Sequence, residues 1–201
     1  MIPVNIVVED ALSEAVLRKI LSESQTSFSV AYCYGKCGYG YIKRTAHAFN
    51  NAAKGMPYLI LSDLEEQCAP VQVRDWLPSH IHSNLLFRIA VKEVESWLLA
   101  DRDGFASFLG IAGKLVPRNV DEEPDPKQLL IALAKRSRKR ELREAIVPRP
   151  RSIASIGPDY NGCLSSFVYE AWNLNEAANN SPSLCKCIKS IDRFNPTFTE
   201  A

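Results

Sequence analysis

The chain has 201 residues, 46% of them hydrophobic and 23% charged, a globular balance that excludes wholesale disorder. Twenty-four Lys and Arg against 23 Asp and Glu leave a net charge of +1, so a general polyelectrolyte attraction to nucleic acid is excluded and any such binding needs a local patch. No apolar run approaches the roughly 18 residues that span a bilayer.

The N-terminal run Ile2 to Val8 is β-branched and apolar, as in a strand buried on both faces, and reads as the start of the fold rather than a signal peptide. A cytoplasmic chain is the expectation, with the six cysteines as thiols rather than a disulfide framework. Ala11, Leu12, Ala15, Val16, Leu17, Ile20 and Leu21 then fall at helical spacing. Phe28 to Tyr34 reads as a second strand. Gly35, Gly38 and Gly40 break the chain before a helix from about Ile42 to Lys54. Pro57 to Ser62 is a third strand ending at Asp63, and Pro70 to Leu77 a short helix with Pro in its first turn. Leu85 to Val91 is a fourth strand, followed by a helix carrying Val94, Trp97, Leu98 and Leu99.

This alternation predicts an α/β fold, a Rossmann-like parallel sheet with helices on both faces. The second half reads as helices only, over Asp103 to Leu109, Lys127 to Lys135, Glu141 to Val147, Tyr160 to Trp172 and Ser183 to Phe194. Pro-rich, charged joints separate them. The expected organisation is an α/β core over 1–110 and a C-terminal helical extension over 111–201, packed on that core.

In an open parallel sheet, ligands bind outside the carboxyl ends of the strands. The first strand ends at Glu9-Asp10, the third at Asp63-Leu64-Glu65-Glu66, and the fourth runs into Glu93-Val94-Glu95. Carboxylates gathered at one edge repel unless a cation or protons neutralise them. Mg²⁺ (or Mn²⁺) suits such oxygen ligands and brings waters usable in phosphoryl chemistry. Glu9, Asp63 and Glu65 are the expected catalytic and metal-binding set, joined by Glu93 or Glu95. If the helix has begun by Glu93, those two cannot share a face. Asp10 can equally cap the next helix, with Ser13 nearby, and Glu14 and Glu66 read as solvated.

At Glu9 and Asp63-Leu64-Glu65 the chain resembles a TOPRIM domain, the fold shared by topoisomerases, primases and OLD-family nucleases. That family places a Glu after its first strand and an Asp-x-Asp pair after its third, around Mg²⁺. Glu9 matches the first element; Asp63-Leu64-Glu65 matches the second, with Glu in place of the final Asp. The stretch from Phe87 to Asp101, with Asp125-Pro-Lys127, Gly157-Pro-Asp-Tyr160 and Ser181-Pro-Ser-Leu184, looks like an uncharacterised bacterial TOPRIM-like family. The likeness covers nearly the whole chain. Such proteins are often encoded beside an AAA-type ATPase, as in phage-defence modules. The resemblance implies a metal-dependent nuclease, or a non-catalytic subunit that docks on an ATPase partner.

Lys135, Arg136, Arg138, Lys139 and Arg140, with Arg143, Arg149 and Arg151, form the strong basic cluster and the expected nucleic-acid contact. A solvated helix end is the competing reading. Gly35 to Gly40 lacks the order of a phosphate-cradling P-loop and reads as an ordinary loop. Cys33-x3-Cys37 and Cys185-x-Cys187 lack the spacing of a zinc knuckle, and His80-x-His82 presents two rings to one side with no third ligand nearby. His47 falls in an apolar helix pattern and reads as packed or capped. Trp97, Phe108 and Trp172 read as core aromatics. A flavodoxin-like nucleotide binder is disfavoured, since phosphates sit badly beside uncompensated carboxylates.

Overall fold

A computed structural model describes residues 1–198. Four strands, β1 (Ile2–Val8), β2 (Phe28–Gly35), β3 (Tyr58–Asp63) and β4 (Leu85–Ala90), form one sheet in the order β2-β1-β3-β4, with every pair parallel. Helices α1 (Ala11–Glu23), α2 (Tyr39–Ala52) and α3 (Ala69–Trp76) make the crossovers. The fold is thus the Rossmann-like α/β arrangement that the alternation predicted.

Period-2 alternation divides the strands between two faces. Val7, Tyr58, Ile60, Phe87 and Ile89 pack with Ile42 and Phe49 of α2 and with Trp76 of α3. Right-handed crossovers, the hand such units adopt, put α1 on the opposite face. There β4 presents Arg88, which faces the fully buried Cys187. The connection from β1 leads outward to β2, whereas that from β2 leads back past β1 to β3. The order therefore reverses between β1 and β3, at the carboxyl ends that carry Glu9 and Asp63.

Local signals account for the joints. Asp10 caps α1, accepting from the Ser13 backbone N–H and hydroxyl at 2.8 Å each. Gly35 has φ +98°, and a Cβ there would lie 2.1 Å from the Val8 carbonyl oxygen, so only glycine fits. Lys36 N–H donates to that same carbonyl and Gly38 N–H to the Glu9 carbonyl, which fastens the loop after β2 to the end of β1. Gly38 lies at φ +73°, and α2 starts at Tyr39, earlier than the apolar pattern indicated.

The chain divides into two compact units. One is Met1–Val91 with residues 185–198; the other is Lys92–Leu184. The division falls after Val91, not after residue 110, and the last helix returns to the sheet unit. That helix, α10 (Pro182–Asp192), crosses the boundary. In the first unit the Phe194 ring stacks on Phe28 at 6.2 Å and Asp192 accepts from the Gln25 N–H at 3.0 Å.

The second unit is helical: α4 (Val94–Ala100), α5 (Arg102–Leu109), α6 (Pro126–Ala134), α7 (Arg140–Ile146), α8 (Tyr160–Glu170) and α9 (Leu174–Asn180), with short 3-10 turns at Gly113–Leu115 and Val120–Glu122. Every residue of α4 is buried, so this short helix is the unit's centre rather than a surface helix with one apolar stripe. Trp97 donates its indole N–H to Ser183 Oγ at 2.6 Å and accepts at its carbonyl from the Trp172 indole at 3.2 Å. Asp121 accepts from Ser181 Oγ and the Ser183 N–H, tying down the start of α10. Helix α9 escaped the sequence pattern because its Asn-rich run has weak helical preference. Asn173 caps it, accepting from the Glu176 N–H, and Asn180 donates to the Ala100 carbonyl.

Two readings of single residues are corrected. Glu14 is not solvated: it is partly buried between Arg18 (2.8 Å) and Lys36 (2.5 Å), which hold its carboxyl below the ordinary range despite some burial. His47 is exposed, because it falls on the outer side of α2. Among the described residues no helix is long and apolar enough to cross a membrane.

Candidate functional site

At the switch point, the side chain of Glu9 turns toward the end of β3. Its Oε1 accepts from Ser62 Oγ at 2.5 Å and from the Asp63 backbone N–H at 2.8 Å. Oε2 has no hydrogen-bond partner among the described residues. Burial raises the proton affinity of Glu9 above the ordinary value of 4.5; the bonds from Ser62 and Asp63 oppose this, and the charges of Glu65 and Asp10 add to it. Glu9 is 9% exposed, a carboxyl taken from water at the edge where ligands of such sheets bind.

Asp63 closes β3, opposite Ala90 in the register, and is half-buried. Glu65 follows on an exposed turn. Gln72 of α3, fully buried, shapes that turn: its Oε1 accepts from the N–H of Glu65 (2.7 Å) and of Glu66 (3.3 Å), while its Nε2 donates to the Asp63 carbonyl (2.8 Å) and Ser62 Oγ (3.3 Å). Ser62 and Gln72 thus position the expected acidic residues, and neither stood out beforehand. The signal for Gln72 was a polar side chain among Ala69, Val73 and Trp76 on a short helix; for Ser62, a hydroxyl closing an otherwise apolar strand. Glu66 turns aside to Lys43 (3.1 Å) and the Trp76 indole (3.3 Å), with the Lys43 ammonium 5.5 Å from the Trp76 ring.

Glu93 and Glu95 belong to the second unit, and their partners described here lie there as well. Glu93 is the extended residue before α4, at φ −136° and ψ 163°, so helical spacing does not separate it from Glu95. Both face Lys127, whose ammonium lies 3.6 Å from Glu93 Oε1 and 3.5 Å from Glu95 Oε1. The Lys127 backbone N–H donates to Glu93 Oε2 at 3.0 Å, and Tyr160 Oη donates to Glu95 Oε1 at 2.9 Å. Burial pushes the Glu95 carboxyl up to about 7; Lys127 opposes this, and Glu93 reinforces it. Among the described residues Glu95 Oε2 finds no hydrogen-bond partner, although it is buried. Lys127 and Tyr160 fall in the stretches that carry the family resemblance, yet their pairing with Glu95 was not legible there.

The basic residues Lys135, Arg136, Arg138, Lys139 and Arg140 are all exposed, at the turn between α6 and α7 and the start of α7. Ser137, buried in their midst, donates to the Leu109 carbonyl and accepts from the Lys139 N–H, so the turn is ordered. All six cysteines are free, with Cys187 the buried one. Among the described residues, no three His, Cys, Asp or Glu side chains stand together as a metal-ligand group. No family model matches the chain, and no curated protein or solved structure matches it either.

Proposed function

We propose that the carboxyl edge of β1 and β3 is a divalent-cation site for phosphodiester hydrolysis, as the TOPRIM resemblance implies, with Glu9 and Asp63 at its centre and Glu65 beside them. The observation that carries this reading is the seating of a buried Glu9 against Ser62 and the Asp63 N–H at the switch point of the sheet. The donors are carboxylate oxygens, which suit Mg²⁺ or Mn²⁺ and not a soft metal. Mg²⁺ commonly takes one or two protein carboxylates and fills its other positions with water and substrate phosphate, which is within the reach of Asp63 and Glu65 in this reading. A bound ion there would polarise the phosphodiester and lower the pKa of water.

The residues of the chain have distinct parts in this reading. Asp63 and Glu65 hold the cation. Glu9, kept proton-loving by burial, keeps Oε2 available to a ligand or to a transferred proton, while Oε1 stays fixed by Ser62 and Asp63. Gln72 holds the Asp63–Glu66 turn in one conformation. In Asp63→Ala, metal-dependent cleavage of an oligonucleotide falls to background while the circular dichroism of the wild type is kept. Absence of cleavage by the wild type with Mg²⁺ or Mn²⁺ on DNA or RNA, alone or with an ATPase partner, sinks the enzyme reading.

A second reading, a non-catalytic subunit of an AAA-type ATPase system, is favoured by one feature. Glu9 already serves a structural end through Oε1, and Glu65 is exposed on its turn. Calorimetric titration with Mg²⁺ separates the two, since an interaction subunit needs no metal there.

A further inference from the structure

Between Lys135 and Arg151 stand eight Lys or Arg and two Glu, a local charge of +6; the remaining chain holds sixteen cations and twenty-one carboxylates and carries −5. The near-neutral total therefore hides a strongly uneven distribution of charge along the chain. Pairing is uneven too. Among the described residues, Arg140 alone of these eight has an ion-pair partner, Glu144 at 2.6 Å. Elsewhere six of the sixteen cations, Arg18, Lys19, Lys36, Lys43, Arg74 and Lys127, are matched to a carboxylate among the described residues.

The cations of the 135–151 stretch, all but Arg140 without an ion-pair partner among the described residues, border shaped surface. A cleft of about 470 Å³ opens at Lys135, Arg143 and Arg149, with one carboxylate, Glu144, and walls of Val147, Pro148 and Pro150. A second, of about 480 Å³, lies at the start of α7, at Lys139 and Arg140 with Glu141, Phe108 and Leu142. Arg143 is held by donation to the Ser137 carbonyl, and Lys139 by donation to the Ser107 carbonyl, so part of the positive charge is preorganised. Six of the eight cations are Arg, whose planar fork matches phosphate oxygens in pairs.

We propose that the two clefts along α7 form a docking track for the phosphate backbone of a polynucleotide, with Lys135, Arg143 and Arg149 seating one phosphate and Lys139 and Arg140 a neighbouring one. Two concave clefts along one helix, in which cations outnumber carboxylates three to one and two to one, suit a strand that follows the surface; a flat lipid headgroup layer cannot enter them. The choice of a polynucleotide among polyanions rests on the phosphodiester chemistry proposed above.

The test is fluorescence anisotropy of a labelled 20-nucleotide DNA or RNA oligonucleotide with the full chain in EDTA, over a series of salt concentrations. The wild type binds at low salt, and log K falls linearly with log salt. In Lys135→Glu/Arg149→Glu, two exposed side chains without hydrogen bonds among the described residues, affinity drops about tenfold or more and the salt slope shrinks by about 2. Lys19→Ala, in the sheet unit and paired with Glu23, leaves both unchanged. The proposal is overturned if the wild type does not bind in EDTA, if the double variant keeps the affinity and slope of the wild type, or if only phosphatidylserine vesicles are bound. Because EDTA removes the cation, failure here is distinct from failure of the acidic edge, which Mg²⁺ calorimetry reads on its own.

Discussion

The two buried glutamates of this chain solve the same problem differently. Glu9, in the sheet unit, is held by a hydroxyl and a backbone N–H from the next strand, and no Lys or Arg figures among the groups that set its proton affinity. Glu95, in the helical unit, is buried more deeply and carries its own ammonium, shared with Glu93. Hydrogen bonds without a countercharge leave room for an external cation. A carboxylate pair with a resident lysine is already neutralised in part, and its interest shifts from metal binding to proton holding. The contrast argues that Glu9 is the better metal candidate and that Glu93 and Glu95 are the weaker ones.

The largest effect that would break this comparison is expected at Lys127. Lys127→Ala leaves two carboxylates without their countercharge, one of them 1% exposed, and should lower stability in urea by about 3 kcal/mol at pH 8. The loss should shrink at pH 5, where Glu95 takes a proton. A variant as stable as the wild type at pH 8 would remove the resident-cation half of the contrast.

Next in size is the titration of Glu95 itself. The folded chain holds this proton up to about 7, whereas an ordinary Glu releases it near 4.5. The native state therefore binds more protons than the unfolded chain between those values, and stability falls as pH rises through that window, by up to about 3 kcal/mol. Glu95→Gln carries no such proton, so the difference between its urea profile and that of the wild type should trace the window. A pH-independent difference would show that Glu95 is ionised throughout.

A smaller effect sharpens the other half. Glu9→Ala leaves the Ser62 hydroxyl and the Asp63 N–H without their acceptor and should cost about 1–3 kcal/mol, while Glu9→Gln retains an oxygen for both and should cost less than about 1 kcal/mol. Mg²⁺ binding should weaken in both variants. If only Glu9→Ala weakens it, Glu9 positions the β3 end and is not itself a ligand. Smallest of all is Lys36→Ala, which removes a half-exposed partner of Glu14 and should change stability by under about 1 kcal/mol, since Arg18 remains.

Much of the fold was legible in the residues. The four strands and α1 match the apolar pattern closely because period-2 and period-3.6 burial leaves a direct trace in one short stretch. The cap at Asp10 was readable for the same reason, as its donor lies three residues on. The site was legible only in part. Glu9 and Asp63 could be brought to one edge by strand order alone, yet Ser62 and Gln72, which fix them, carry no pattern of their own. The reading of Glu93 against Glu95 turned on a single residue: α4 begins at Val94, and the extended backbone of Glu93 lets both carboxylates meet Lys127.

By itself, then, the sequence determined the order of strands and helices, the acidic strand ends and the isolated basic stretch, all consequences of neighbours along the chain. The tertiary structure decided which carboxylates lose water and what they meet in exchange. Tyr160 reaches Glu95 across 65 positions of sequence and Ser62 reaches Glu9 across 53. Proton affinity depends on such distant partners and on depth, because desolvation is set by everything that packs around a group and not by the residues beside it.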